Sequence, residues 1–454
     1  MKKIAFTTFL IPIFVFSQTC FDFKNYSVYP NPELTPIKTI RISFHVTYKS
    51  DGSGSYIATD DQVVNYFNEI IKLTNYRLSH NELPNPNVSS PLVEDVRLSF
   101  LLYKVYFYRD DSTYKVLEDN TNDRDNGVWF YNHRILNNKE YSDIEKYNAL
   151  HIILEPKYDG HLPKSHNEGG QANGIFDKSW IVFRSFDYNY NNPINGDFVN
   201  SIAQCTGHLL HEAGHSLGLF HSFKSQCDDD CLDNGCPPDK TSNNYMDYTP
   251  WLNTRSFSEC QISRIHFGLM GLSGNISDIM VDDYCNNLVG PIIRIKDTIS
   301  IGGKRYMNQN IVIRYGLLNI TCEVSMTAKS KIVIDKMGIL NLENGVLHNK
   351  CNLSWKGVIV KKEGSMVLNS SNIAGYTIQV KAGGTLIVRN EVVLRDAKIV
   401  LERGAYLCMG KKGKIATIGN KNGFIQKNGV IEGVNPNILI EGFCDITPTE
   451  IKPN

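Results

Sequence analysis

Hydrophobic and polar positions follow two different patterns along this chain of 454 residues, and the pattern changes near residue 290. In the first part, alternation of apolar and polar residues predicts strands, and apolar residues three and four positions apart predict helices. The predicted strands cover residues 40–48, 96–107, 149–154 and 180–183, and the predicted helices begin at Asp60 and Phe198. Strands and helices mixed in this way are typical of an α/β (α+β) fold.

Beyond residue 290 the helical spacing disappears, and short apolar strands recur, each followed by a glycine and a second short strand. The repeat is about 20 residues long, which is the length of one coil in a stacked β-solenoid. Four aligned repeats begin at Ile332, Val358, Ile378 and Ile399. We therefore predict a C-terminal all-β domain that resembles a parallel β-helix. A β-sandwich is the alternative, because regularly spaced strands suit that fold as well.

The N-terminus has the features of a secretory signal peptide of the bacterial type. Lys2 and Lys3 precede an apolar run over residues 4–16, and Ser17 provides a small residue at a plausible cleavage point. The run is too short to span a bilayer, which needs about 20 apolar residues. A buried N-terminal strand or helix is the alternative. No later segment is apolar for long enough to form a membrane span, so we expect a secreted, extracellular protein.

Charge and cysteine content narrow the function and the compartment further. The 47 Lys and Arg residues balance the 47 Asp and Glu residues, so charge gives no reason to expect binding to nucleic acid or to an anionic membrane. In an oxidising compartment the 11 cysteines can form disulfides. Six lie within 205–285 and four within 322–444, so each region could pair internally and leave Cys20 as the odd one. Buried thiols are the alternative for some of them.

One stretch carries candidate chemistry: it contains His211, Glu212, His215, Gly218 and His221. Positions i and i+4 of a helix share one face, so His211 and His215 can hold one Zn²⁺ ion. Glu212 follows the first of these ligands and is placed to act as a general base on the attacking water. A third ligand is needed, and Gly218 allows the bend that would return His221 to the same ion. His208, on roughly the same helix face, is predicted to be a packed or supporting histidine.

These residues resemble a known family. His-Glu-x-x-His-x-x-Gly-x-x-His is the signature of metzincin zinc metalloproteases, and a turn containing Met246 follows it within residues 243–248. The sequences of the helix end and of this turn resemble those of the pappalysin family, in particular its secreted bacterial cytophagalysin-like branch. Residues 257–264 also resemble the closing helix of that family. The resemblance covers about residues 40–285 and does not extend to the C-terminal half.

The resemblance implies a metzincin-like catalytic domain with a substrate cleft and an edge strand near residues 169–174. It implies that His211, His215 and His221 bind the catalytic zinc and that Glu212 is the general base. Met246 would form a hydrophobic floor beneath the metal. Tyr248 would hydrogen-bond the metal or the tetrahedral intermediate, with simple wall packing as the alternative. The expected activity is that of a zinc metalloendopeptidase acting on protein or peptide substrates.

A second ion is implied less directly. Family members often carry a calcium-stabilised loop after the zinc helix, and residues 227–239 are acidic and rich in cysteine. Aspartate oxygens suit Ca²⁺. The alternative is a solvated acidic loop held by disulfides. Cys20 could likewise occupy the open zinc position as a short plug, or pair with another cysteine.

The predicted organisation therefore has four segments. Residues 1–17 form a signal peptide, 18–38 an extended leader, 39–285 a zinc peptidase domain and 286–454 a β-rich accessory domain. The accessory half has no cluster of His, Asp, Glu and Ser, so we expect it to bind an unknown surface or a glycan rather than to catalyse. A rival hypothesis is a non-catalytic secreted adhesin whose C-terminal domain does the binding. All the signature positions, Glu212 included, are present, and this favours the peptidase.

Overall fold

The computed structural model describes residues 18–85, 90–119, 123–156, 170–184, 186–191, 193, 196–223, 240–272, 275–281, 291–351, 355–418 and short strands at 425–426, 430–431 and 437–438. These residues belong to two compact units. The α/β unit comprises Phe23–Asn287 with Arg305–Asn308, and the parallel-β unit comprises the remainder. The predicted signal peptide (1–17) and the predicted calcium loop (227–239) lie outside the described residues.

The α/β unit is built on a five-stranded sheet with the order β2-β1-β3-β5-β4. Its strands are β1 (Lys38–Tyr48), β2 (Leu98–Arg109), β3 (Leu150–Leu154), β4 (Gly170–Ala172) and β5 (Trp180–Phe183). Strands β1, β2, β3 and β5 are parallel, and β4 runs antiparallel to β5 at one edge. All residues of β3 and β5 are buried, which is expected for interior parallel strands covered on both faces.

Seven α-helices accompany this sheet within the described residues: α1 (Asp60–Ser79), α2 (Asp111–Asp119), α3 (Asp123–Phe130), α4 (Asp143–Tyr147), α5 (Phe186–Asn191), α6 (Phe198–Ser216) and α7 (Glu259–Phe267). A π-helical turn, Tyr131–Leu136, follows α3. Helix α1 begins with a capping box between Thr59 and Gln62, which satisfies two of its first backbone N–H groups. Within the described part of the chain, none of the helices has the length and apolar character that crossing a membrane would require.

The strongest sequence patterns predicted their elements well. The predicted strands at 40–48, 149–154 and 180–183 correspond to β1, β3 and β5, and the helix predicted from Phe198 is α6. The short helices α2, α3, α4 and α5 have 9, 8, 5 and 6 residues and were not predicted, because one or two turns give too few positions to show a helical period.

The region predicted as an extended leader has a different structure. It forms three short 3₁₀ turns, Gln18–Phe21, Phe23–Tyr26 and Pro32–Leu34. Tyr26 and Val28 are almost fully buried, and the ring of Tyr26 meets that of Phe267 edge-on at 5.2 Å. The residues from Phe23 onward are therefore packed parts of the α/β unit, because their aromatic and aliphatic side chains complete its core.

The parallel-β unit is made of short strands that stack in three sheets. The strands that follow β5 along the chain are β6 (Ile293–Ile295), β7 (Thr298–Ile301), β8 (Arg305–Met307, within the α/β unit), β9 (Ile311–Ile313), β10 (Leu317–Ile320), β11 (Glu323–Met326), β12 (Ile332–Ile334), β13 (Ile339–Glu343), β14 (Val346–His348), β15 (Val358–Val360), β16 (Ser365–Asn369), β17 (Asn372–Ala374), β18 (Thr377–Val380), β19 (Thr385–Val388), β20 (Glu391–Arg395), β21 (Lys398–Leu401), β22 (Tyr406–Met409), β23 (Lys414–Ile418) and β26 (Asn437–Ile438). The first sheet has the strand order β21-β18-β15-β12-β9-β6, and the second has the order β26-β22-β19-β16-β13-β10-β7. The third sheet contains β23-β20-β17-β14-β11 in that order. β24 (Ile425–Gln426) and β25 (Val430–Ile431) form a separate two-stranded antiparallel sheet.

The register of these sheets follows the sequence repeat. Ile332 pairs with Val358, Val358 with Ile378, and Ile378 with Ile399. Each strand thus pairs with its equivalent one coil later, as in a β-helix-like solenoid. The β-sandwich alternative is wrong, because sandwiches of that kind are built from antiparallel sheets and these three are parallel.

The cysteines do not pair as the even grouping suggested. Cys20 forms a disulfide with Cys322, both in the parallel-β unit. Cys20 is therefore neither the odd cysteine nor a thiolate plug for a metal. Cys205 is a buried thiol whose Sγ lies 3.2 Å from the hydroxyl of Tyr66. Cys260, Cys351 and Cys408 are disulfide-bonded as well.

Candidate metal centre

Helix α6 places two histidines one turn apart on the same face. Asp197 caps the helix by accepting a hydrogen bond from the backbone N–H of Val199, so the helix begins at a fixed residue. Along it, the imidazole rings of His211 and His215 lie with their centroids 4.9 Å apart. Their relative position follows from the helical repeat alone, as the spacing predicted.

The third histidine depends on the bend that follows α6. Gly218 has φ +108°, a conformation that residues with a Cβ rarely adopt. A Cβ at this position would also overlap the ring of Phe176. The backbone N–H of Gly218 donates to His215 O (2.9 Å), and its carbonyl accepts from Nε of Arg264 (2.7 Å). The bend is thus fixed from both sides, and it returns the chain so that His221 faces the helix.

The three imidazoles meet at their Nε2 atoms. His221 Nε2 lies 3.1 Å from His215 Nε2 and 3.2 Å from His211 Nε2. Two nitrogen ligands at about 2.0–2.1 Å from a tetrahedral Zn²⁺ ion are about 3.3 Å apart. The spacing of the nitrogen atoms therefore fits a single ion of this size. Among the described residues, this is the cluster of His, Cys, Asp and Glu that could hold a metal.

The hydrogen bonds of the rings favour lone pairs rather than protons at the centre. Nδ1 of His211 lies 2.6 Å from Tyr245 O, and Nδ1 of His215 lies 2.8 Å from Leu219 O. A carbonyl only accepts, so both Nδ1 atoms donate and each Nε2 carries a lone pair. Lone pairs converging at this distance repel one another unless a proton or a cation lies between them. The donor set therefore suits a divalent metal that binds imidazole nitrogen.

Burial keeps the rings of His211 and His215 neutral. Loss of solvent, followed by the neighbouring His215 and His221, holds the pKa of His211 well below its usual value. Burial and then His221 lower the pKa of His215 to about 4. Neutral imidazole is the form that binds metals.

Glu212 is buried beside the edge of the sheet, with 5 % of its surface exposed. Its Oε2 accepts a hydrogen bond of 2.9 Å from the backbone N–H of Ala172 in the edge strand β4. His208 Nε2 lies 3.8 Å from Glu212 Oε1, which is too long for a hydrogen bond. The carboxylate is thus oriented by the backbone of β4.

Met246 lies beneath α6 in a turn that a buried carboxylate organises. It is fully buried, and its Sδ lies where a side chain at Gly214 would be. The neighbouring Asp247 accepts hydrogen bonds from the backbone N–H groups of Lys240 (2.9 Å) and Ser242 (2.9 Å) and from the Ser242 hydroxyl (2.7 Å). These bonds fix the turn, and therefore the positions of Met246 and of the residue that follows Asp247.

Tyr248 borders the histidine cluster. Its ring centroid lies 4.8 Å from that of His221 and 4.7 Å from that of Phe223. The ring is half-buried, so the phenol belongs to the wall of the site.

His208 is a packed histidine, as the sequence predicted. It is stacked on Trp251 with centroids 5.0 Å apart and meets Phe183 edge-on at 4.5 Å. Burial lowers its pKa to about 3, so the ring is neutral and supports the wall beside α6.

Several groups that shape this site could not be predicted from the sequence. The carbonyls of Tyr245 and Leu219 and the N–H of Ala172 are backbone groups, which any residue supplies. Phe176 and Trp251 are large side chains whose role depends on contacts with residues distant in the chain. Gly218 indicated that some group packs closely against the bend, because a required glycine implies a close neighbour. It did not indicate that this neighbour is Phe176.

Comparisons with protein families and with curated proteins gave no match. No protein-family model matches the chain, and no curated protein is significantly similar to it. The functional argument therefore depends on the residues and their arrangement.

Proposed function

We propose that this protein is a secreted zinc-dependent endopeptidase of the pappalysin type, whose catalytic domain has a metzincin-like fold. The observation that carries the proposal is the convergence of the His211, His215 and His221 Nε2 atoms, with His221 Nε2 within 3.2 Å of the other two. A buried glutamate next to the first histidine and a methionine turn beneath the helix accompany it. Three protein ligands are the number that catalytic zinc sites use, because a position must stay open for the reaction.

Each residue of the site has a separate role in the proposed reaction. His211, His215 and His221 would hold the ion, which when bound acts as a Lewis acid and acidifies the attacking water. Glu212 accepts a proton from that water as general base and then donates it to the departing amine. The Ala172 N–H holds one carboxylate oxygen and so orients the group for this proton transfer. Tyr248 is placed on the wall to donate a hydrogen bond to the developing oxyanion.

The edge strand suggests how a peptide would bind. β4 runs antiparallel to β5 at the end of the sheet, next to the helix that carries Glu212. An extended substrate could add to this edge by main-chain hydrogen bonds, the usual mode of strand addition. This arrangement supports protein or peptide chains as substrates rather than small molecules.

The remaining expectations belong to the same proposal. The N-terminal sequence supports export, and oxidation of Cys20 and Cys322 suits an extracellular compartment. The parallel-β unit would serve as an accessory binding module.

Replacing Glu212 by alanine tests the proposal. We expect Glu212→Ala to keep one zinc per chain and to lose about 10²–10⁴-fold in peptidase activity, the range that general acid–base catalysis typically contributes. Zinc is measured by elemental analysis, and activity with an unbiased peptide library. Glu69→Ala, an exposed acid on α1, is the matched control and should keep full activity.

Two results would contradict the proposal. Undiminished cleavage by Glu212→Ala would remove this residue from catalysis. Wild-type protein that contains no transition metal and cleaves no member of the library would favour the adhesin hypothesis instead.

A further inference from the structure

One corner of the parallel-β unit repeats the same backbone conformation in successive coils. It lies between the first and second sheets, and the residues with positive φ there are Tyr315 (61°), Met337 (57°), Glu363 (64°), Gly383 (76°) and Gly404 (84°). From Met337 onward each donates its N–H to the carbonyl of the next one, as in Met337 to Glu363 (2.9 Å) and Glu363 to Gly383 (2.9 Å). The corners therefore stack in register, about 4.8 Å apart as neighbouring strands are.

The residues just before these positions form a column along the unit, which we call the basic column: Arg314, Lys336, Lys362, Ala382 and Arg403. All five are exposed, and four of the five are cations. Unscreened like charges at this spacing repel one another by about 1 kcal/mol in water. A polyanion bound along the column would relieve this repulsion.

The acidic residues at this corner are mostly engaged elsewhere. Asp335 pairs with Lys361 at 3.5 Å, and Glu402 pairs with Lys381 at 2.5 Å. Each of these lysines directly precedes a column residue in the sequence and is not itself part of the column. The two acids are therefore neutralised by lysines outside the column. Among the described residues, Glu363 and Asp297, which lies at the same corner one coil before Tyr315, are the remaining acids. The four cations of the column still leave an excess of positive charge.

An aromatic residue lies at the start of the column. Tyr315 is 44 % exposed. The guanidinium carbon of Arg314 lies 5.3 Å from the centre of its ring, and Nζ of Lys336 lies 5.9 Å from it. An exposed ring with a polar tip offers a flat apolar surface flanked by two charges. This combination suits the apolar face of a sugar that carries an anionic group.

We propose that the basic column is a binding surface for a linear acidic polysaccharide. The polymer would lie along the stacked corners, with carboxylates against successive cations and one sugar ring against Tyr315. Single-stranded nucleic acid fits less well, since proteins that bind it stack successive bases on successive aromatic residues, and one aromatic residue, Tyr315, lies beside the column. The inference is independent of the peptidase proposal, because no residue of the histidine cluster takes part.

Affinity electrophoresis with alginate, a linear polyuronate, tests the proposal on the full mature chain. We expect alginate to retard the wild-type protein, and uncharged dextran not to. The triple variant Arg314→Gln/Lys362→Gln/Arg403→Gln should bind alginate at least about tenfold more weakly, and wild-type binding should weaken with added salt. The matched control is Lys329→Gln/Lys356→Gln/Lys398→Gln, which removes the same charge from exposed positions outside the column and should change binding less than about twofold.

Thermal unfolding of both triple variants shows that they are folded before binding is compared. Equal weakening in the two triple variants would reduce the effect to net charge and overturn the proposal. Absence of alginate binding by the wild type would overturn it too, as would tighter binding of single-stranded DNA than of alginate. Tyr315→Ala adds an independent readout: it should weaken alginate binding while the net charge stays unchanged.

Discussion

The two units of this protein differ in how far along the chain their contacting residues lie. In the α/β unit, Glu212 is held by a residue 40 positions away, and His211 by one 34 positions away. Between the stacked strands of the parallel-β unit, partners lie about one coil apart, as in the hydrogen bond between Asn341 and Asn319, 22 positions away. This difference in sequence separation affects what kind of site each unit can form. Distant segments can bring unlike groups to a point, whereas repeated coils present like groups along a line.

The comparison also extends to polar burial. The α/β unit buries His45 and His151, which hydrogen-bond each other at 2.9 Å between adjacent strands β1 and β3. In the parallel-β unit, equivalent positions of successive coils bury apolar residues, such as Leu340, Met366 and Leu386. Buried imidazoles respond to pH, while stacked aliphatic residues do not. The predictions below use this contrast, from the largest expected effect to the smallest.

The Cys20–Cys322 disulfide, formed within the parallel-β unit, tests how much covalent closure of the chain contributes to stability. It joins residues 302 positions apart, a loop that contains the whole α/β unit. Closing so long a loop restricts the unfolded chain, so Cys20→Ser/Cys322→Ser should lower the free energy of unfolding by up to about 5 kcal/mol. Urea unfolding measures this. Cys205→Ala, which removes a thiol outside any disulfide, is the control. A double variant no less stable than this control would show that the loop contributes nothing.

Gly218→Ala tests the bend that brings the third histidine to the cluster. The new methyl group would overlap Phe176 and would require φ +108° from a residue with a Cβ. We expect a loss of about 3 kcal/mol in stability, together with weaker zinc retention, because His221 can no longer reach the other rings. Equilibrium dialysis against a chelator series measures the second effect. Wild-type zinc affinity in this variant would show that the bend is not what positions His221.

The buried histidine pair predicts that acid destabilises the α/β unit. Burial lowers the pKa of His151 to about 4, and burial followed by its neighbour His151 lowers that of His45 well below normal. Below about pH 6.5 the unfolded state binds protons that the folded state resists, so stability present at neutral pH is lost as the pH falls towards 4. For His151 the loss amounts to about 3 kcal/mol.

His151→Gln should therefore flatten the dependence of stability on pH between 7 and 4, whatever it does to stability at pH 7. Three of the four tryptophans, Trp129, Trp180 and Trp251, lie in the α/β unit, so their fluorescence follows its unfolding. His80→Gln, at an exposed position, should leave the slope unchanged. An identical slope in His151→Gln and wild type would assign the acid sensitivity to other groups.

Gly383→Ala is the counterpart of Gly218→Ala in the parallel-β unit and should have the smallest effect. Gly383 also has positive φ, but the neighbour of an added methyl group would be the flexible side chain of Lys362. The cost is then mainly that of a left-handed residue, about 1 kcal/mol. Thermal unfolding of the two variants side by side measures the difference. An equal loss in both would show that local backbone strain, rather than the buried surroundings, dominates at Gly218.

Much of the fold could be predicted where a pattern repeats or runs long. The register of the parallel-β unit followed from aligned repeats, since Ile332, Val358 and Ile378 pair as their alignment implies. Helix α6 and its two histidines followed from helical spacing. The packed leader and the Cys20–Cys322 disulfide could not be predicted, because both depend on contacts between distant segments.

The sequence alone determined which groups are available for chemistry: the histidines, Glu212, the methionine turn and the glycine that permits the bend. Local rules of backbone geometry carry that information. The tertiary structure decided what those groups face. Only the folded chain brings Tyr245 O, Leu219 O and Ala172 N–H to the side chains that they orient. Backbone groups are identical in every residue, so their partners become visible only when distant segments are packed together.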